Sequence, residues 1–228
     1  MSAWQLGARL TTERLRSERT PLLLLACVLL AALLAYVERR AGGSGALERA
    51  LERDCFGILL PLVGYVTFQR ATEGGRLDST VRTVARHGIS GRAVWLGAAL
   101  VPTALLALLG MTFAVTTVWC ARGVSSAGLA SELWQSSGIG AFAGAAYGAW
   151  LSASSDLGRF GSGRKWMLLV DLLLGSSSGS LALPWPRAHI QNLLGAEPVS
   201  GLGQGTAFAV LLTSAFTVLL VAVRRAPD

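Results

Sequence analysis

Charged residues make up only 14% of this 228-residue chain, against an apolar share of 52%. The charges it does have fall in blocks, unlike the even scatter of a water-soluble surface. Histidine occurs twice and cysteine three times, and neither forms a spacing that would hold zinc. Neither histidine has a second ligand three or four residues away. Paired acids of the kind that hold magnesium are missing too, since Glu73 and Asp78 stand five apart among arginines. No glycine loop closes on Lys-Ser/Thr: "GRFGSGRKW" has glycines and Lys165 without the spacing or the hydroxyl, so the chain is not expected to hydrolyse ATP itself. An intramembrane serine protease would need a histidine within reach of "GSSSGS", but His189 follows too closely and His87 falls on the other face. These absences leave no catalytic residue and no metal site to name, and the expectation is a non-enzyme.

What is present is hydrocarbon-compatible length. A bilayer core of roughly 30 Å needs about 20 apolar helical residues. Six windows approach that: 21–37, 55–69, 93–121, 133–155, 166–183 and 204–223. The second is short and holds Pro61, and the fifth contains Asp171 and "GSSSGS". The expected fold is therefore an all-α membrane protein of six spans in one domain covering 1–228. No leader cleavage site precedes the first window, so it reads as a retained helix.

Arginine places the ends. Of 20 basic residues, 19 are arginine, and most lie in residues 1–20, 70–92, 156–165 and the tail, which puts these segments and both termini on the cytoplasmic side. Trp95, Trp119, Trp134, Trp150, Trp166 and Trp185 fall near ends of windows three to five, as interfacial indoles would. The net charge of +7 is accounted for by this bias and by anionic lipid, so nucleic acid is not an expected partner.

Several smaller features carry alternatives. Residues 1–20 place Trp4, Leu6 and Leu10 so that an interfacial helix can lie on the membrane, or form a disordered basic leader. In window four, Ser136, Gly140, Gly144, Gly148 and Ser152 recur every four residues, a small-residue stripe for close helix packing, either within the subunit or across a dimer. Asp171 lies about 7 Å inside Trp166, and either lines a conduit or fixes packing. Cys55 and Cys120 are both expected at outer helix ends, where a disulfide is geometrically open. Residues 184–203 are too broken by proline and glycine to span. They should dip into the outer face or lie along it, with "RAHIQNLL" as a short helix.

The stretch "RATEGGRLDSTVRTVARHGISGR", residues 70–92, is much longer than a hairpin between two spans requires. Asp78-Ser79 is a candidate N-cap and Gly88 a stop, with Leu77, Val81, Val84 and Ala85 on one stripe and Arg82 and Arg86 on another. That pattern is a short amphipathic helix parallel to the membrane. Glu73, Gly75, Leu77, Ile89, Ser90 and Arg92 stand in the order in which the permeases of ABC-2-type transporters place a glutamate, glycine, leucine, short helix and Ser-Arg pair between spans two and three. In this respect the chain resembles that family.

The resemblance implies a membrane-spanning permease of a bacterial inner (cytoplasmic) membrane. In such a protein the segment is a coupling helix docked on a separate ATPase subunit, which carries the ATP and magnesium. It also implies a second permease subunit, identical or related, export by alternating access, and docking through Glu73, Asp78, Arg82 and Arg86. The sparse polar lining of the spans suits a lipid-like or amphipathic cargo. Two other readings stay open at this point: a membrane scaffold that does not transport, and a lipid-modifying enzyme.

Overall fold

A computed structural model of the chain describes residues 1–17, 19–42, 45–123, 126, 128–177, 179–196 and 198–226. It contains helices and turns, with no strand among the described residues. The helices are α1 (Ala3–Leu15), α2 (Arg19–Ala41), α3 (Ala46–Arg49), α4 (Leu60–Ala71), α5 (Leu77–Ala85), α6 (Gly91–Arg122), α7 (Leu129–Ser154), α8 (Gly163–Leu174), α9 (Pro186–Leu193) and α10 (Gln204–Arg225).

Three of them, α2, α6 and α10, are long and apolar enough to cross a membrane. The other three windows differ from the sequence expectation for separate physical reasons. α7 has 26 residues, but its serines and glycines keep its hydropathy below that of α2, α6 and α10. The second window becomes the last part of a continuous helix over 46–71, in which Ala50–Leu59 is π-helical and links α3 to α4. Pro61 explains the wide turn. Its ring would collide with the carbonyl four residues back and it has no N–H to donate, so the preceding turn opens until the Leu60 N–H reaches Cys55 O, five residues earlier.

The fifth window does not form a single span. α8 stops at Leu174 after 12 residues, about 18 Å at 1.5 Å per residue. α9 then begins beside Asp171, whose Oδ1 accepts the Arg187 N–H, and ends beside Gln204, whose side chain donates to Asn192 O. α9 is buried: Ile190 belongs to the main core, and Ala188, His189 and Asn192 are enclosed. Ser178 and Glu197 lie outside the described residues.

This break also changes the tryptophan reading. Trp185, expected at the outer end of a span, packs on Trp150, expected at an inner end, with ring centroids 6.0 Å apart. The two cannot mark opposite membrane faces. Trp95 is fully buried, whereas Trp119, Trp134 and Trp166 are exposed as interfacial rings would be.

The densest seam is α6 against α7. The small-residue stripe makes it, inside one subunit. A Cβ on Gly144 would run into the Leu106 carbonyl, one on Gly140 into Gly110 O, and one on Gly148 into Thr103. Backbones at this distance gain dispersion contacts that any side chain would forbid. α1 uses the same device on the first turns of α6, where Gly7 meets Val94 and Gly97 meets Trp4, and Thr11 Oγ1 donates to Ala98 O at 3.2 Å. Residues 3–15 are therefore an ordered helix docked on α6. The three cysteines are free thiols, Cys55 lying 3.1 Å from Thr117 Oγ1.

Candidate functional site

Segment 70–92 is built as turn, helix, turn. α4 ends at Ala71, a tight turn follows with Glu73 at φ 51° and Gly74 at φ 77°, and α5 runs over Leu77–Ala85. Arg86 caps it, the chain turns at Gly88 with φ 75°, and Ser90 Oγ accepts the Ala93 N–H to open α6. The apolar stripe lies where the spacing puts it. Leu77 and Val81 are buried, and with Val84 they pack on Val94, Trp95, Ala98, Leu219 and Ala222, so α5 sits under the start of α6 and the end of α10.

The N-cap is not the local one. α5 begins one residue before Asp78, and no side chain of the segment caps it. Instead Asp156, in the loop after α7, accepts the Asp78 N–H on Oδ1 at 2.8 Å and the Trp95 indole N–H on Oδ2 at 2.8 Å. A carboxylate at a helix N-terminus meets both free N–H groups and the positive dipole end. Burial is the largest influence on this acid and pushes its pKa above the usual aspartate value, against the lowering effect of the two donors.

The other flank is held by the opposite charge. Arg164, at the start of α8, is fully buried. Its Nη1 donates to Phe68 O at 3.0 Å and to Thr72 Oγ1, and its Nη2 to Gly75 O at 2.8 Å. Phe68 lies in the last turn of α4, so the guanidinium sits at the negative dipole end and shares the Phe68 carbonyl with the Thr72 N–H and hydroxyl. From α1, Arg14 adds a third tie: Nη1 donates to Ala71 O at 3.2 Å and to Thr80 Oγ1 at 3.0 Å, and Nε lies 3.3 Å from Glu73. Loop 156–165 and α1 thus clamp both ends of the turn that leads into α5.

The four sequence candidates separate here. Glu73, Arg82 and Arg86 are exposed. Asp78 is not: it is 5% exposed, and its Oδ2 accepts from Arg82 at 2.8 Å and lies 3.6 Å from Arg76. It fastens the helix from within. Asp156, Arg164, Trp95 and Arg14 were missed. They are distant in sequence, and only the two-sign composition of loop 156–165 hinted at them.

Asp171 is also a fastener. It is fully buried, with Tyr147 Oη donating to Oδ2 at 2.8 Å and the Arg187 N–H to Oδ1 at 3.2 Å, which ties α7, α8 and α9 together. That is the packing alternative. No group of three or more His, Cys, Asp or Glu side chains able to hold a metal occurs among the described residues. No protein-family model matches this chain, and no curated protein matches it significantly.

Proposed function

We propose that the chain is the membrane-spanning permease subunit of an ATP-driven transporter of the ABC-2 type, with α5 as the helix that docks on a separate ATPase subunit. The observation that carries this reading is the division of α5. Its apolar face is seated on α6 and α10, its exposed face presents Arg82 and Arg86, Glu73 is exposed in the turn before it, and both flanks are tied to other helices. A push on α5 is then delivered to α1, α6 and α8 as one body.

In this reading α2, helix 46–71, α6, α7, the α8–α9 pair and α10 make six crossings, with both termini and α5 cytoplasmic and α1 at the cytoplasmic interface. A second permease subunit completes the transport path, and the ATPase partner supplies ATP and magnesium. The cargo class is lipid-like or amphipathic and the direction is export.

The test is a mild-detergent pull-down of the tagged chain from its native membrane, compared with Glu73→Ala/Arg82→Ala/Arg86→Ala. The expected outcome is an ATPase subunit that co-purifies with the parent chain and is released by the triple change while the monodisperse elution profile is kept. A stable complex with no ATPase would favour a scaffold and sink the transporter reading.

A further inference from the structure

The cytoplasmic half of the chain contains a feature the docking role does not use. α8 and α10 scarcely touch, and between them, floored by the end of α7, lies a cavity of about 750 Å³. That is within the range of about 300 to 1,000 Å³ typical of small-molecule sites. Its wall is apolar, with Met167, Val170 and Val218, and it ends at the Trp150–Trp185 pair. Its mouth carries Arg76 and Arg225.

Two donors there lack acceptors. Arg76 Nε and Trp150 Nε1 are buried with no hydrogen-bond partner among the described residues. Buried donors are rarely left open in a finished structure, so these two ask for oxygen atoms from something else, and the Arg225 guanidinium is exposed beside them. Two carboxylates also line the cavity: Asp156, which accepts the Asp78 N–H and the Trp95 indole N–H, and Asp78, whose Oδ2 meets Arg76 and Arg82 and whose Oδ1 has no partner among the described residues; with Arg82 counted, three arginines face two acids. Trp166 at the cavity is exposed, and α8 and α10 also expose Leu169, Leu173, Phe216 and Leu220, side chains that suit hydrocarbon.

We infer that this cavity is a lateral binding site for one anionic phospholipid of the cytoplasmic leaflet. The acyl chain lies along Val170 and Val218, and the phosphate and ester oxygens meet Arg225, Arg76 and the Trp150 N–H. The inference rests on the membrane placement in the proposed function and not on the ATPase. It is tested without that subunit, so either reading can fail alone.

The experiment reconstitutes the full chain in nanodiscs with acyl-brominated phosphatidylglycerol or acyl-brominated phosphatidylcholine and reads quenching of tryptophan emission. The expected result is stronger quenching by the anionic lipid. Arg225→Gln, which breaks no described ion pair, should lower that preference by roughly fivefold, as should Arg76→Gln. Val218→Phe, which fills the cavity, should abolish the preference. A preference that survives Val218→Phe is ordinary attraction of anionic lipid to a basic membrane face, and overturns the site. Equal quenching by both lipids overturns it as well. Quenching by neither lipid, with a dimer on mass analysis, would mean that a second copy of the chain covers the gap.

Discussion

The two sides of α7 are built on opposite principles. Toward α6, glycines let backbone touch backbone, and no side chain fits between. On its other side α7 packs on α10 through Phe142 and Phe208 and floors, between α8 and α10, a gap of about 750 Å³ lined by large apolar side chains. One side is a fixed seam and the other can accommodate movement, because a close-packed contact has a single arrangement while a poorly filled one has several of similar energy. The interlock around α5 joins the two. Trp95 and Asp156 anchor it to the seam, and Arg164 anchors it to α8, on the loose side.

The largest expected effect breaks the seam. Gly144→Leu forces a side chain into the Leu106 carbonyl and should cost about 3 kcal/mol or prevent folding, read as a lost thermal transition in detergent. Gly138, in the same helix, has nothing within contact range of a Cβ. Gly138→Ala should therefore be neutral or raise stability by up to about 1 kcal/mol through helix propensity. If both changes cost alike, the seam is not what makes α7 rigid.

Next comes the link to the loose side. Arg164→Ala removes a buried guanidinium from Phe68 O, Thr72 Oγ1 and Gly75 O and should cost about 2 to 3 kcal/mol. Its signature is faster amide exchange over residues 70–92, with the α6–α7 seam still protected. Unchanged exchange in that segment would mean that Arg164 does not hold it.

The smallest effect is electrostatic. Asp156 is an acid whose pKa is raised in the folded chain, so the folded state binds its proton more tightly than the unfolded state does. Its charged form therefore detracts from stability above the folded pKa. That cost is relieved as the pH falls through the folded value, and no further gain comes below the unfolded carboxylate value. Asp156→Asn should flatten this part of the stability profile, removing the rise on acidification. A wild-type profile that already lacks the rise on acidification would argue that the carboxylate is not buried as seen.

Much of the fold was legible, and the reasons are local. The windows at 21–37, 93–121 and 204–223 depend on length and apolarity alone, and α2, α6 and α10 follow them closely. α5 was legible because Leu77, Val81 and Val84 recur at the helical period. The broken fifth path was only half legible. "GSSSGS" and the prolines announced a break, but α9 turning inward depends on the Arg187 backbone reaching Asp171, a contact with no local signal.

By itself, then, the sequence determined an all-helical, membrane-compatible chain with its arginines in alternate gaps and an amphipathic helix between two apolar runs. Those properties are sums over neighbouring residues, which pattern and period record. Tertiary structure alone decided which partner each polar or small residue takes: Asp156 and not Asp78 as the cap of α5, Arg164 on the end of α4, the glycine stripe turned to α6, and a gap between α8 and α10. Such pairings join residues tens of positions apart, and their energy comes from burial and geometry that exist only once the helices have met.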